Sequence, residues 1–340
     1  MNLAAQMSRA AERAPLPDPL LRLGISRLVG RTHAQLAAAP CRTSEFARAM
    51  VTHAIAEHAQ EANRQHYELP PDFFTHCLGP RRKYSCCLFE DATTLPHAEL
   101  QALARTADHA ELRDGQRILE LGCGWGSLTL YMAERFPNAA ITAVSNSTLQ
   151  RLSIEAEASR RGFANVRIIT ADINDFAIGE TFDRIVSVEM FEHMANWRGL
   201  LARLRGWLNA DGKLFLHVFS HASQPYRFDH EDEADWIARY FFTGGIMPSH
   251  GLIREFADLF SLEREWRWNG QHYERTALAW LANYDAHEAA IRPILRETYG
   301  AEARLWHRRW RLFFLATAGL FGHAGGEAWG VSHYLLRPCC

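Results

Sequence analysis

The sequence is short of several things, and each absence narrows what the chain can be. No segment reaches the roughly 18 uninterrupted apolar residues of a membrane span, and the N-terminus carries charges where a signal peptide needs an apolar core. That points to a soluble chain with no stable membrane anchor, and to a cytoplasmic setting. Charge of either sign is not in excess. A net charge of −2 gives no electrostatic reason to expect nucleic acid as a partner. The seven cysteines (Cys41, Cys77, Cys86, Cys87, Cys123, Cys339 and Cys340) are odd in number and lack zinc-ribbon spacing. A reduced environment fits them, and no His, Cys or carboxylate set has metal-ligand spacing, so no metal is expected. Internal repeats and low-complexity stretches are absent as well.

What is present is an ordinary globular balance, 48% hydrophobic and 22% charged, in 340 residues, enough for one large core with insertions. The chain is organised around Arg117 to Ser127, which reads Arg-Ile-Leu-Glu-Leu-Gly-Cys-Gly-Trp-Gly-Ser. An apolar run leads into glycines at 122, 124 and 126, then into apolar residues at helical spacing. This is a buried strand, a tight turn and a helix. Glycines there let the backbone approach a ligand where a Cβ would collide, and the helix start offers unpaired N–H groups. A dinucleotide fingerprint would be spaced Gly-x-Gly-x-x-Gly. Glu120, two residues before the first glycine, suits a cationic ligand and would repel a pyrophosphate. The pattern resembles the acidic Gly-x-Gly-x-Gly loop of class I S-adenosylmethionine-dependent methyltransferases.

Strands and helices alternate after that loop. The pattern predicts strands over 140–144, 166–170, 184–188 and 213–219, with helices over 149–161 and 197–208, hence a parallel sheet covered on both faces. Ligands of such sheets sit at the carboxyl ends of the strands. Ser145-Asn146, Ala171-Asp172, Glu189 to His193 and His217 to Ser220 should therefore converge with the glycine loop. Upstream, helices are expected to about residue 69, the second carrying Phe46, Met50, Ile55 and His58, until Pro70-Pro71 interrupts. Downstream, 221–260 reads as a lid or substrate wall rich in aromatics, followed by a strand over 261–268, helices over 273–291 and 302–320, and a closing strand over 329–336. The expected organisation is a helical cap and cofactor-covering loop over 1–94, a core over 95–220, the lid over 221–260, and completing strands and helices over 261–340.

Five stretches together carry a more specific resemblance: Lys-Tyr-Ser-Cys-Cys-Leu-Phe, Leu-Glu-Leu-Gly-Cys-Gly-Trp-Gly-Ser-Leu, Glu-Met-Phe-Glu-His-Met, Arg-Tyr-Phe-Phe-Thr-Gly-Gly-Ile-Met-Pro-Ser and Ile-Arg-Pro-Ile. From about Tyr67 to Leu336 the chain resembles the coclaurine N-methyltransferase-like branch of the cyclopropane-fatty-acyl-phospholipid synthase superfamily. The resemblance implies an α/β class I methyltransferase (Rossmann-like) fold: a seven-stranded, mostly parallel sheet with helices on both faces, plus the helical cap and lid. It also implies bound S-adenosyl-L-methionine and methyl transfer to the nitrogen of a small amine. Carried over by position, Tyr84, Ser85, Gly122, Gly124, Asn146, Gln150, Asp172 and Ile173 would touch the cofactor, with Glu120 from the loop itself. The acidic residue that usually ends the second strand is missing here, and Asn146 with Gln150 would hold the ribose instead.

An amine must reach the methyl group with a free lone pair, which calls for a carboxylate or imidazole beside it. Glu189, Glu192 and His193 follow the fourth strand at spacings that a turn brings to one side, and are read as acceptor, support and base. The plainer alternative makes Glu192 and His193 a buried structural pair. A competing function is methylene or methyl transfer to an unsaturated lipid. Relatives that perform it hold bicarbonate in a cage, and Cys86, Glu192, His217 and Tyr273 match that cage, with Phe219 replacing a smaller aliphatic. Glu189 stands where those enzymes have Gly. A nucleic-acid methyltransferase or a catalytically inactive module is the third reading, and Ser187-Val-Glu-Met-Phe-Glu lacks the Asp/Asn-Pro-Pro-Tyr of enzymes acting on base nitrogens. Helices near both ends offer surfaces for a homodimer.

Overall fold

The computed structural model describes residues 11–14, 16–57, 69–233 and 235–339. Parts of the expected cap, including His58 and Tyr67, lie outside the described residues. Seven strands form one sheet: β1 (Arg117–Leu121), β2 (Ala140–Ser145), β3 (Val166–Thr170), β4 (Phe182–Val188), β5 (Leu208–His221), β8 (Phe260–Asn269) and β9 (Trp329–Pro338), in the order β3-β2-β1-β4-β5-β9-β8. The first five run parallel. β9 is antiparallel to both of its neighbours. This is the seven-stranded, mostly parallel class I methyltransferase sheet.

Burial on both faces explains the unbroken apolar runs of the central strands. Ile118, Val186, Phe215 and Leu335 face one layer, against Leu103 of α4 (Leu95–His109) and Met132 of α5 (Ser127–Arg135). Leu119, Ile185, Leu214 and Leu216 face the other, against Leu200, Leu201 and Leu204 of α7 (Trp197–Gly206). Each such side chain, removed from water, contributes roughly 1.5–3 kcal/mol. The helices are punctuated by side-chain chemistry. α6 (Thr148–Arg161) starts on Ser147, whose hydroxyl accepts from Gln150 N–H, and ends on Gly162 in the left-handed region. α7 starts on Asn196, which accepts from Gly199 N–H.

Several elements depart from the sequence reading. α1 (Asp18–Ala38) and α2 (Thr43–Met50) are helical, but α2 ends at Met50, before the Ile55 it was expected to carry. Residues 51–57 turn back instead, and the Ile55 carbonyl accepts from Ala195 N–H, tying this segment to the loop after β4. Pro71 does not merely end a helix. It opens a short one, α3 (Pro71–Cys77), at the first-turn position where its missing N–H costs nothing. The helix expected over 273–291 is two, α9 (Gln271–Ala286) and α10 (Glu288–Tyr299), broken at His287 so that Ile291 and Leu295 fold onto the cluster around Trp310 of α11 (Ala303–Phe321). Within 221–260 lie a small antiparallel pair, β6 (Tyr226–Arg227) with β7 (Ile246–Met247), and the short helix α8 (Trp236–Tyr240). Among the described residues no helix is long and apolar enough to cross a membrane.

Candidate active site

The carboxyl ends of β1, β2, β3 and β4 open onto a cleft lined among others by Gly122, Gly124, Asn146, Gln150, Asp172, Ile173, Glu189 and His193. A second lobe shares Gly122, Gly124 and Glu189 with it and extends to Lys83, Tyr84, Ser85, Glu120 and Trp125. The sequence-predicted cofactor residues are thus brought to one continuous surface. All three loop glycines have positive φ. A Cβ on Gly126 would lie 2.6 Å from Ile154 Cγ1, so that glycine serves the fold, whereas a Cβ on Gly124 would meet no protein atom within 4 Å and would project into open space.

Around this cleft several buried donors have no partner among the described residues: Trp125 Nε1, Ser127 Oγ and Gln150 Nε2. Gln150 is held by its other end, where Oε1 accepts from Ser145 Oγ at 2.6 Å. Unsatisfied buried donors cost about 1–3 kcal/mol each, and a polar ligand with hydroxyls and a carboxylate would relieve them. Glu120 is buried, accepts from Thr129 Oγ1, and burial pushes its pKa up to about 8. It is therefore largely protonated at neutral pH until a cation pairs with it, which refines the expectation of a standing carboxylate.

The acidic cluster is arranged differently from the expectation of three groups on one side. Glu189 takes a left-handed backbone conformation, φ +48°, which glycine adopts freely and a side-chain-bearing residue adopts at a cost. Its carboxylate is gripped by three donors. Cys86 N–H and His217 Nε2 reach Oε1 at 2.9 and 3.2 Å, and Tyr273 Oη donates to Oε2 at 2.7 Å. Oε1 accepts two hydrogen bonds and Oε2 one, so Oε2 keeps an unused lone pair, and Glu189 is among the residues that line the cleft. Burial raises the Glu189 pKa, and burial holds His217 well below its ordinary value, so this contact is a hydrogen bond to a neutral imidazole and not an ion pair.

Glu192 leaves this group. It is fully buried, Oε1 accepts from Phe219 N–H at 2.6 Å, and Oε2 has no partner among the described residues. Burial, with Glu189 nearby, pushes its pKa well above the ordinary carboxylate value, which favours the neutral acid. His193 sits at the end of a single 3-10 turn over Phe191–His193, on the cleft, with its ring 4.4 Å from that of Phe242. Glu192 and His193 therefore do not form the structural pair that was the alternative. Of the residues matched to the bicarbonate cage, Cys86, His217 and Tyr273 converge on the Glu189 carboxylate, while Glu192 bonds Phe219 N–H instead.

A family model described as mycolic acid cyclopropane synthetase matches residues 55–325. The chain belongs to that family. Within it, (S)-coclaurine N-methyltransferase of Thalictrum flavum subsp. glaucum is 38% identical over 289 residues, covering 83% of this chain and 80% of the relative. The cyclopropane-fatty-acyl-phospholipid synthase of Escherichia coli K12 is 28% identical over 270 residues, 79% of this chain and 66% of that one. A crystal structure of coclaurine N-methyltransferase bound to N-methylheliamine and S-adenosylhomocysteine superposes with a TM-score of 0.94 at 34% identity, covering 99% of this chain and all of that one. The chain is an S-adenosylmethionine-dependent methyltransferase of the coclaurine N-methyltransferase-like branch. The open side of Gly124 and the unpartnered donors at 125, 127 and 150 fit that cofactor.

Sequence reasoning missed Lys83, Trp125, Ser127, Ala56, Met190 and Thr243, all of which line the cleft. Trp125 and Ser127 lie inside the glycine loop and were legible by position. Lys83, whose ammonium donates to Ser85 Oγ, adjoins the two residues carried over. Ala56 and Thr243 had no local signal. Of the aromatics in 221–260, Phe242 reaches His193. Phe241 is buried and stacks on Phe313, and Trp236 donates to Glu12.

Proposed function

We propose that this enzyme methylates the nitrogen of a small, cationic amine, with Glu189 and His193 handling the amine and its proton. S-Adenosylmethionine, when bound, supplies an electrophilic methyl group. Tyr84, Ser85, Glu120, Gly122, Gly124, Asn146, Gln150, Asp172 and Ile173 are the residues we assign to hold it. Because methyl transfer is an in-line displacement, holding the nitrogen on line supplies much of the rate.

The observation that carries the proposal is the seat of Glu189. Three donors immobilise its carboxylate at the cleft wall and leave one Oε2 lone pair unused, for which an ammonium N–H is a natural partner. A bound ammonium is inert as a nucleophile until it loses a proton. Glu189, with its raised pKa, and His193 both line that cleft as proton acceptors, beside Asp172, which is assigned to the cofactor. Positioned proton transfer of this kind contributes about 10²–10⁴-fold. Phe242 and Thr243 support the reading of 221–260 as the wall on the acceptor side.

The same geometry weighs against the lipid reading. A tethered carboxylate already sits on the donors that would hold bicarbonate, and a charged group against an alkene would be poorly compensated. The test is release of S-adenosylhomocysteine with a panel of aromatic and alicyclic amines against vesicles of unsaturated phospholipid. The proposal expects turnover with an amine and no dependence on bicarbonate. Turnover confined to vesicles and dependent on bicarbonate would overturn it. A cytoplasmic setting and a homodimer complete the proposal. The exposed Leu20 and Leu23 of α1 support the homodimer, and a monomeric mass in light scattering would remove it.

A further inference from the structure

The sheet itself builds a row of imidazoles leading away from Glu189. In the β5–β9 pairing His217 stands opposite His333, and in the β8–β9 pairing His333 stands opposite Trp266. His109, at the C-terminal end of α4, stacks on Trp266 with ring centroids 3.8 Å apart. The polar atoms are in line. Glu189 Oε1 lies 3.2 Å from His217 Nε2, His217 Nδ1 lies 2.8 Å from His333 Nε2, and His333 Nδ1 lies 2.8 Å from His109 Nδ1. His217 and His333 are fully buried, whereas His109 keeps 9% of its surface exposed. Phe215 and Trp268 flank the middle of the row and keep water from it.

We propose that His217, His333 and His109 form a proton wire that connects Glu189 to solvent while the cleft is closed by cofactor and amine. The inference rests on the amine reading above. Each neutral imidazole has one N–H and one bare nitrogen, which is what a chain of N–H···N bonds requires. Burial holds all three below their ordinary pKa, His109 to about 4, and Lys83 near His217 and His333, with Arg105 and Arg264 near His109, opposes any lasting positive charge. A proton therefore passes without residing.

The transfer balances as follows. With Glu189 protonated, the row stands with His217 Nε2 bare and every N–H pointing away from Glu189, the reverse of its setting around the carboxylate, and Glu189 gives its proton to His217 Nε2. The His217 Nδ1 proton moves to His333 Nε2, the His333 Nδ1 proton moves to His109 Nδ1, and the His109 Nε2 proton leaves to water. Each ring gains one N–H bond and loses one, Glu189 returns to carboxylate, and turning of the rings restores the starting tautomers. Run backwards, the same row loads Glu189 from solvent.

The experiment replaces the mouth of the wire with His109→Phe, which keeps an aromatic ring on Trp266. In protein labelled with ¹⁵N-histidine, exchange of the His217 imidazole N–H with D2O is followed by NMR, with S-adenosylhomocysteine bound. The wire predicts exchange about tenfold slower in H109F than in the parent, because the buried ring has lost its route. Unchanged or faster exchange, the outcome of a merely structural contact, overturns it. The second arm is kcat against pH with a turned-over amine for the parent, H109F and His333→Phe. The variants should fall about tenfold where the amine arrives as ammonium and converge on the parent above the amine's pKa. A loss equal at every pH would contradict the catalytic use of the wire. Failure of the parent to methylate any amine would remove the amine reading alone, since the exchange arm decides the wire without turnover.

Discussion

The backbone N–H of Cys86 donates to Glu189 Oε1 at 2.9 Å, joining a loop that precedes the sheet to a side chain that ends its fourth strand. The loop carrying Tyr84 and Ser85 and the acidic group at the acceptor side are thus one mechanical unit. Disturbing either should be felt at the other.

The contact from Tyr273 is the one that can be removed with least damage. Tyr273→Phe deletes the hydroxyl that donates to Glu189 Oε2 and keeps the ring stacked on Phe321. A hydrogen bond to a charged group is worth about 1.5–3 kcal/mol, so kcat should fall by about ten- to a hundredfold. Affinity for S-adenosylhomocysteine, measured by calorimetry, should stay within about twofold of the parent.

Two glycines separate fold from ligand. Gly124→Ala places a methyl group in the open cleft and should weaken S-adenosylhomocysteine binding by more than about tenfold, at a cost of about 1–2 kcal/mol in stability from φ +52°. Gly126→Ala drives a Cβ into Ile154 and should instead lower the melting temperature strongly. Equal binding losses in two equally stable variants would sink the distinction.

Glu120 gives a pH signature. Its pKa of about 8 in the free site means that a cationic ligand must drive off a proton in order to pair with the carboxylate. Ligand binding lowers that pKa, so affinity should rise as pH increases from about 6 to 8 and level off above. Calorimetry in buffers of different ionisation enthalpy should show proton release at pH 7, and Glu120→Gln should abolish it.

Much of this architecture was legible in the sequence. The glycine loop, the alternation of strands and helices, and the convergence of strand ends follow from local periodicity, and the resemblance supplied the seven-stranded, mostly parallel sheet. The site's inner order was not legible. Nothing local says that Glu189 bends to φ +48° and lands on Cys86, His217 and Tyr273, because those donors come from a loop, a strand and a helix far apart in the chain. Spacing also placed Glu192 beside Glu189, when the single 3-10 turn that follows sends it to Phe219 N–H instead. The premature end of α2 at Met50 has the same kind of cause: residues 51–57 are claimed by contacts with Ala195 and Asn174.

Glu192, buried and neutral, carries a stability consequence. Burial holds its folded pKa well above the 4.5 of the unfolded chain, so as pH rises past 4.5 the unfolded state ionises before the native state does. The native state then holds more protons, and stability is lost as pH rises. Glu192→Gln mimics the protonated acid, so its melting temperature relative to the parent should rise between pH 5 and pH 8. A constant difference would mean that Glu192 is ionised in the native protein.

The central claim is that the Glu189 carboxylate is the built-in occupant of the seat formed by Cys86, His217 and Tyr273. The most direct measurement is amine methylation by Glu189→Gly, with and without added bicarbonate. Glycine suits the left-handed backbone there, so the fold should hold. The account predicts a loss of at least about a hundredfold in kcat, with part of the activity restored by bicarbonate entering the vacated seat. Full turnover in the variant without bicarbonate would contradict it.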